Sequence, residues 1–360
     1  MKHDCRILQI IDSLQVGGSE RMSVNICNSL TSNNIQNCLV VSRNSGPIYN
    51  FVNEKENVFF LNKKGALDLF AFIRLFNLIR KYKPTVIHAH QTSIYWVFAM
   101  KLLSPRVIVI WHDHWGSSDL LKSSDRKGVK YFSFLIDGVV CVNDKIKEWN
   151  LENLKLKSES IVYIPNFPLF KNAKRKEVRG TTLLCIANIR EQKDHANLLK
   201  ACFLLKEQNV DFNLLLAGSL EDINWVVKIR KLIIELNLND SVALLGPVND
   251  IAEVLSNADV GILSSVSEGL PVSLLEYGLA ELPVVCTDVG QCKEVLGNGE
   301  YGWLVPVKSP VELADAIRES LEDSELANLR AGRLKKNILE NYSSKGFVKK
   351  YMELINGMNK

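Results

Sequence analysis

Short runs of aliphatic and β-branched residues alternate, from one end of the chain to the other, with longer stretches whose apolar positions recur at helical spacing. Strands covered on both faces read as continuous apolar runs, and their alternation with helices is the pattern of βαβ units in parallel sheets. The expected class is α/β. In the first half the strand candidates are CRILQII, QNCLVVS, NVFFL, TVIHAH, RVIVIW, GVVCV and SIVYI, with helical candidates over residues 67–82 and 118–134 between them. Seven such strands fill one doubly wound sheet. The most apolar stretch, Ile94 to Trp111, is broken by Lys101, Pro105 and Arg106, which predicts a helix followed by a buried strand and not a membrane span.

The pattern fails between Pro165 and Gly180, where PNFPLFKNAKRKEVRG combines two prolines, no periodicity and a basic run. That is a linker signature. A second series follows, with TTLLCIA, FNLLLAG, SVALLG, DVGILSS, PVVCTD and YGWLVP as strands, and a last helical stretch runs from about Ser344 to Asn356. The expected organisation is an N-terminal domain over 1–168, a second over 169–343, and a C-terminal helix within 344–360 placed to pack back on the first. Two Rossmann-like domains in tandem would face each other across a cleft, since open α/β sheets bind ligands beyond the carboxyl ends of their strands.

Composition narrows the function classes without choosing one. The 360 residues carry a net charge of +4, too mild to argue for nucleic acid. Eight scattered cysteines form no CxxC pair and no metal-ligand spacing with histidine, and most sit in apolar runs, as reduced core thiols of a cytosolic protein would. A strand begins near residue 5 with no apolar run before it, so no cleaved signal peptide is expected.

The segment SSVSEGLPVSLLEYGLA carries the clearest chemistry. It follows a strand candidate and opens a helix at Pro271, a residue suited to a first helical turn. The amides of Gly269, Leu270, Val272 and Ser273, with the helix dipole, would make an anion site suited to a diphosphate. Glu268 before the helix and Glu276 within it would accept paired hydroxyls. As a lone pair, the two glutamates read equally well as a cap and a solvated helix residue.

This segment resembles the family 4 retaining glycosyltransferases, whose hallmark is two glutamates separated by seven residues in an EGxPxxxxE setting. The likeness continues through LPVVCTDVGQCKEVL and YGWLVP and reaches back to the GG pair near residue 17. It implies a GT-B fold. By the same resemblance Glu276 would bind the nucleotide ribose, while Glu268 and the residues after it (Gly269, Leu270, Pro271, Val272) would hold the donor sugar and diphosphate. Lys193 matches the family's diphosphate-binding lysine. Asn188 stands where the family has arginine, and Arg190, two residues on, is the candidate replacement; Gly218 completes the donor-binding set. In the first domain, Gly17 and Gly18 would allow close backbone approach to a phosphate or sugar. His112, in VIVIWHDHW, matches a family histidine near the donor sugar, while His88 and His90 are candidates for the acceptor pocket or the core. Asn166 matches a family asparagine at the hinge, where a structural role is the default.

The activity implied is retaining transfer of a hexosyl unit from a nucleotide diphosphate sugar, UDP-linked by expectation, to a glycan or lipid-linked hydroxyl in surface polysaccharide synthesis. No cofactor and no metal are expected: there is no DxD dipeptide, and lysine, arginine and helix amides can stand in for a divalent ion. The HxH of His112 and His114 lacks a third ligand nearby in sequence. A nucleotide-sugar epimerase of the same fold and a catalytically silent partner subunit are the alternatives. The basic linker Lys171 to Arg179, with Phe167 and Phe170, is a candidate contact for the inner face of an anionic membrane, and a solvated linker is the simpler reading.

Overall fold

The computed structural model describes residues 5–115, 122, 126–169, 181–248 and 250–358. The linker segment 170–180 and the first part of the helical candidate 118–134, all but Lys122 of residues 118–125, lie outside them. The chain forms two compact units, Met1–Asn166 with Ser344–Lys360, and Phe167–Ser343.

The first unit is a parallel sheet of β1 (Arg6–Ile11), β2 (Gln36–Val41), β3 (Val58–Phe60), β4 (Val86–His90), β5 (Ile108–Asp113), β6 (Gly138–Cys141) and β7 (Ile161–Tyr163), in the order β3-β2-β1-β4-β5-β6-β7. Its helices are α1 (Gly18–Ser32), α2 (Leu69–Tyr82), α3 (Ile94–Leu103), α4 (Lys127–Tyr131) and α5 (Asp144–Asn153). Strand alternation gives the sheet two different faces. One, with Leu8, Ile10, Ile87, Ala89, Val109 and Trp111, is apolar and lies under α2, α3 and α5. The opposite face carries Gln9, His88, His90 and His112, all essentially inaccessible.

In the second unit β8 (Thr182–Ile186), β9 (Asn213–Ala217), β10 (Val242–Gly246), β11 (Val260–Leu263), β12 (Val284–Thr287) and β13 (Trp303–Val305) run in the order β10-β9-β8-β11-β12-β13. The helices are α6 (His195–Glu207), α7 (Ile223–Glu235), α8 (Ile251–Ser256), α9 (Val272–Leu279), α10 (Cys292–Val295), α11 (Pro310–Glu322) and α12 (Ser324–Asn341). Both sheets are therefore wound outward in two directions from an inner strand, as in Rossmann folds.

The last helix, α13 (Ser344–Met358), buries Phe347, Val348, Tyr351, Leu354 and Ile355, one stripe at helical spacing, within the first unit beside α1. Its Met358 methyl occupies the space where Gly138 lacks a Cβ. Phe167 is fully buried, which removes it as a candidate membrane contact; an aromatic at the start of the second unit is taken up by the core. The eight cysteines are all free thiols and seven are buried. No described helix is long and apolar enough to cross a membrane.

Candidate active site

In the second unit the winding direction reverses between β8 and β11, so the loops leaving these neighbouring strands part and open a crevice. The loop after β8 passes through a single 3-10 turn, Glu191–Lys193. It then enters α6 through Asp194, whose carboxylate accepts from Asn197 N at 3.2 Å. The loop after β11 runs alongside. Val266 N donates to Gln192 O (2.9 Å), Gln192 Nε2 to Ser267 O (2.7 Å) and Ser264 Oγ to Lys193 O (2.9 Å).

This stitching brings the two sequence-predicted charges together. The Lys193 ammonium pairs directly with Glu268 Oε1, and Ser265 Oγ donates to the same oxygen at 2.6 Å. The side chains are 13% and 6% exposed. Removing one partner of an ion pair this buried leaves the other uncompensated, a cost of about 3–5 kcal/mol. The lysine has further donors for a ligand.

The backbone under Glu268 is fixed from the next strand. Thr287 Oγ1 donates to Ser265 O at 2.7 Å, and Gln291 N to Gly269 O at 3.0 Å. Gly290 has φ +52°, and a Cβ there would lie 2.3 Å from Glu268 O. Gly218 serves a similar purpose, since a Cβ on it would lie 2.1 Å from Ala187 O and only glycine lets the loops after β8 and β9 touch.

Asn188 Oδ1 accepts from Ser219 N at 2.9 Å, which makes this residue a clasp between those two loops. Arg190 is exposed, on extended backbone one residue before the 3-10 turn.

Helix α9 begins at Val272, one residue later than expected, with Pro271 extended at its N-cap and providing no side-chain hydrogen bond. The N-cap residue thus takes up none of the first-turn amides, an arrangement suited to an anion. Glu276 lies in the middle of this helix at 4% exposure. The next residue, Tyr277, bolts the helix down: its hydroxyl accepts from Ile186 N (2.7 Å) and reaches Leu184 O and Ile262 O (3.3 Å each). Its ring occupies the space above Gly261, where a Cβ would meet it at 2.6 Å. Sequence reasoning missed Tyr277, Ser265, Gln192 and Gly290; only the glycine's place after a strand signalled anything.

The first unit reverses direction between β1 and β4. Gly17 is the extended N-cap of α1, and the Glu20 carboxylate turns back over it, 2.2 Å from where a Cβ would stand. Gly18 opens the helix with open space where its Cβ would be. Asp12, also missed, ties three loops together, accepting from Ser42 Oγ (2.6 Å) and Thr92 Oγ1 (2.9 Å) and pairing with Lys63 (3.5 Å). Burial pushes its carboxyl up, but the Ser42 bond, Lys63 and Thr92 outweigh that and hold it below the usual value.

In the first unit β4, β5 and the residue after β5 bring four imidazoles together. His88 Nε2 and His112 Nδ1 are 3.1 Å apart, His90 Nδ1 and His114 Nε2 3.1 Å, and His90 Nε2 and Gln9 Oε1 3.1 Å. With Gln9 Oε1 accepting, His90 carries its proton on Nε2 and receives the His114 Nε2 proton at Nδ1. Phe347 and Tyr351 of α13 lie against His112 and His88.

Burial drives all four below the ordinary histidine value, His88 and His114 to about 3, so they are neutral near pH 7. His88 and His90 are therefore core hydrogen-bonding residues. His112 departs from its expected place facing a ligand, since the pleat turns it under α13; His114, past the strand end, is only half buried. Asp113, on the other face, pairs with Arg126 and accepts from Asn150 Nδ2 at 3.0 Å.

Nitrogens of His88, His90 and His112 lie within 4.8 Å of one another, so His112 gathers two imidazoles from β4 and not its sequence neighbour His114. The ring planes differ by only 20–29°, and His88 and His112 already share a hydrogen bond that an ion would have to displace.

Comparison with known proteins agrees with this geometry. Residues 166–337 match the model "Glycosyl transferases group 1", and residues 16–167 match "Glycosyltransferase Family 4". A relative named "Uncharacterized glycosyltransferase" from Haemophilus influenzae is 24% identical over 86% of this chain and 88% of its own. The Escherichia coli "UDP-Gal:alpha-D-GlcNAc-diphosphoundecaprenol alpha-1,3-galactosyltransferase" is 22% identical over 88% and 87%. Among solved structures, Anabaena HepE in complex with UDP and glucose superposes with a TM-score of 0.82 at 16% identity, over 98% of this chain and 100% of that one. With both halves of the chain matched and the EGLPVSLLE carboxylates set at the switch point of its second sheet, this protein belongs to the family 4 glycosyltransferases, of GT-B fold.

Proposed function

We propose that the protein transfers a hexosyl unit, with retention of configuration and without a metal ion, from a UDP-sugar to a hydroxyl of a lipid-linked glycan. The observation that carries this reading is the Lys193–Glu268 pair at the β8/β11 crevice, immediately before the uncapped N-terminus of α9. Glu276 takes the ribose hydroxyls and the first turn of α9 takes the diphosphate. Glu268, with the Gly269 and Leu270 backbone, takes the sugar.

As the bond from the anomeric carbon to the diphosphate oxygen breaks, negative charge grows on the leaving group. Lys193 is placed to stabilise it most in the transition state, with the α9 N-terminus beside it. The acceptor oxygen bonds to the same face of that carbon, and its proton passes to an oxygen of the departing diphosphate. Arg190, exposed at the rim, is free to swing onto the diphosphate. Asn188, already bonded to Ser219, serves by holding the loop. His112 would meet a donor hydroxyl only through Nε2, a buried nitrogen with no hydrogen-bond partner among the described residues. The lipid-linked acceptor is supported by the activity for which the Escherichia coli relative is named, and with such an acceptor the proposed place of work is the inner face of the membrane.

The test is incubation with individual UDP-sugars and a diphosphoundecaprenol-linked glycan in the presence of chelator, read by mass spectrometry, with the anomeric configuration read by NMR. Transfer with retention is expected. Conversion of donor without acceptor would establish the epimerase instead, and donor hydrolysis and transfer assays blank across many donor and acceptor pairs, from folded protein, would revive the silent subunit.

A further inference from the structure

The second unit carries a cavity of about 260 Å³ away from the donor crevice. Its floor is the base of the sheet: Thr181, Asp259 and Pro283, the residues just before β8, β11 and β12. Its wall is the corner where α11 gives way to α12, lined by Ser320, Ser324 and Asn328. The donor crevice lies at the opposite ends of the same strands, and the five residues of β8 span about 16 Å. A ligand in the cavity is therefore a strand length from Lys193 and Glu268.

Hydrogen bonds fix the shape of the cavity. Asp259 Oδ2 accepts from Thr182 N and Asp259 N donates to Thr182 O, 2.8 Å each, which holds the loop before β11 against the start of β8. The hydroxyl of Ser320, a residue only 4% exposed, donates to Ile317 O at 2.7 Å, so it faces a ligand as an acceptor. Asp323 caps α12 at the corner, accepting from Leu326 N at 2.9 Å.

The lining selects a class of ligand. It holds one carboxylate, three hydroxyls and one carboxamide, with the aliphatic side chains of Val260, Leu321 and Ala327 beside them. An anion would meet the Asp259 carboxylate with no lining cation to offset it, and a hard metal ion would find a single charged ligand where it takes several. A neutral polyol suits every part: the carboxylate, hydroxyls and carboxamide pair with its hydroxyls, and the aliphatic side chains cover the C–H face of a ring. The volume sets the size. At roughly 30 Å³ per water it equals about nine waters, room for one sugar ring, and it falls short of the roughly 300 Å³ at which pockets for larger ligands begin. We propose that this cavity binds one neutral sugar ring at a site separate from the donor crevice. Occupancy there requires nothing of Lys193, Glu268 or Glu276, so the site stands apart from the transfer reading.

The experiment is saturation-transfer NMR on the full chain with D-glucose, D-galactose or N-acetylglucosamine, each alone and again with excess UDP. At least one sugar should bind with a dissociation constant on the order of millimolar, as suits a ligand of roughly a dozen heavy atoms, and UDP should leave the signal unchanged. Ser324→Trp and Asn328→Trp, which bring an indole to the cavity from exposed positions on α12, should each weaken binding by about tenfold or more. Asp259→Asn, which keeps an oxygen for Thr182 N, should weaken it by about fivefold. All three variants should retain the wild-type melting temperature and UDP affinity. Failure of the wild type to bind any of the three sugars would overturn the proposal, as would undiminished binding by both tryptophan variants. Displacement of the sugar by UDP would put it in the donor crevice, and calcium uptake that Asp259→Asn abolishes, without sugar binding, would make the cavity a cation site; either result also overturns it.

Discussion

The histidine layer makes the first unit sensitive to acid, and the size of the effect can be worked from burial alone. His88, His90, His112 and His114 all have folded-state values far below the ordinary one near 6.5, because burial penalises the imidazolium. The unfolded chain therefore binds more protons, and stability falls as pH falls. The loss begins near pH 6.5 and continues to about 3 for His88 and His114. At pH 5 each histidine costs about 2 kcal/mol, a figure set by the unfolded value so long as the folded one is well below 5. The three fully buried rings, His88, His90 and His112, together amount to roughly 6 kcal/mol, comparable with the 5–15 kcal/mol that holds a typical domain together. The second unit has one such group, His195, lowered to about 4 by burial and by Lys193.

The assay is amide hydrogen exchange from pH 8 to pH 5, corrected for intrinsic exchange. Peptides from β4 and β5 report the first unit, and those from β8 and β9 the second. The expected result is loss of protection in β4 and β5 well before β8 and β9. His88→Phe, which keeps an aromatic ring in the stack, should lower the proton uptake on unfolding of the first unit by about one. Equal acid sensitivity of the two units, or an unchanged uptake in that variant, would refute the reasoning.

Three other expectations concern the donor crevice. Glu276→Ala should weaken UDP-sugar binding by about 1.5–3 kcal/mol in calorimetry, the range for a hydrogen bond to a charged group, and unchanged affinity would rule out its ribose role. Lys193→Ala should lower kcat more than it raises KM, because its charge matters most as the leaving group forms; a rise in KM alone would place it in ground-state binding. Gly290→Ala, forced to φ +52° with a Cβ 2.3 Å from Glu268 O, should displace the Glu268 backbone. It should cost at least about 1–3 kcal/mol of stability together with donor affinity, and normal binding would show that the loop tolerates the shift.

The chain's own pattern revealed most of the architecture. The strand candidates correspond to β1–β13, because fully covered parallel strands write themselves as apolar runs. The EGLPVSLLE segment revealed its carboxylates because helix, loop and spacing lie within ten residues. What could not be read was pairing over distance. Lys193 and Glu268 are 75 residues apart, and so are Gln192 and Ser267. Asn188 illustrates the same limit: its position suggested a ligand contact, yet its partner, Ser219, follows a different strand. The histidines were visible singly, but TVIHAH and WHDH face each other only once β4 and β5 pair, with His90 opposite His112.

The two units solve the same topological problem with opposite chemistry. Each reverses its winding beside its first strand, but the second gathers a buried ammonium and a carboxylate there, whereas the first lays neutral imidazoles and an amide beneath the gap. On the proposed reading a diphosphate brings charge that must be met by fixed charge, and the contacts of Glu268 with Lys193 and Ser265 orient the lysine before a donor arrives. The imidazoles of the first unit are core groups, and they can be buried in a stack at modest cost as long as they stay neutral, which is the condition that acid removes.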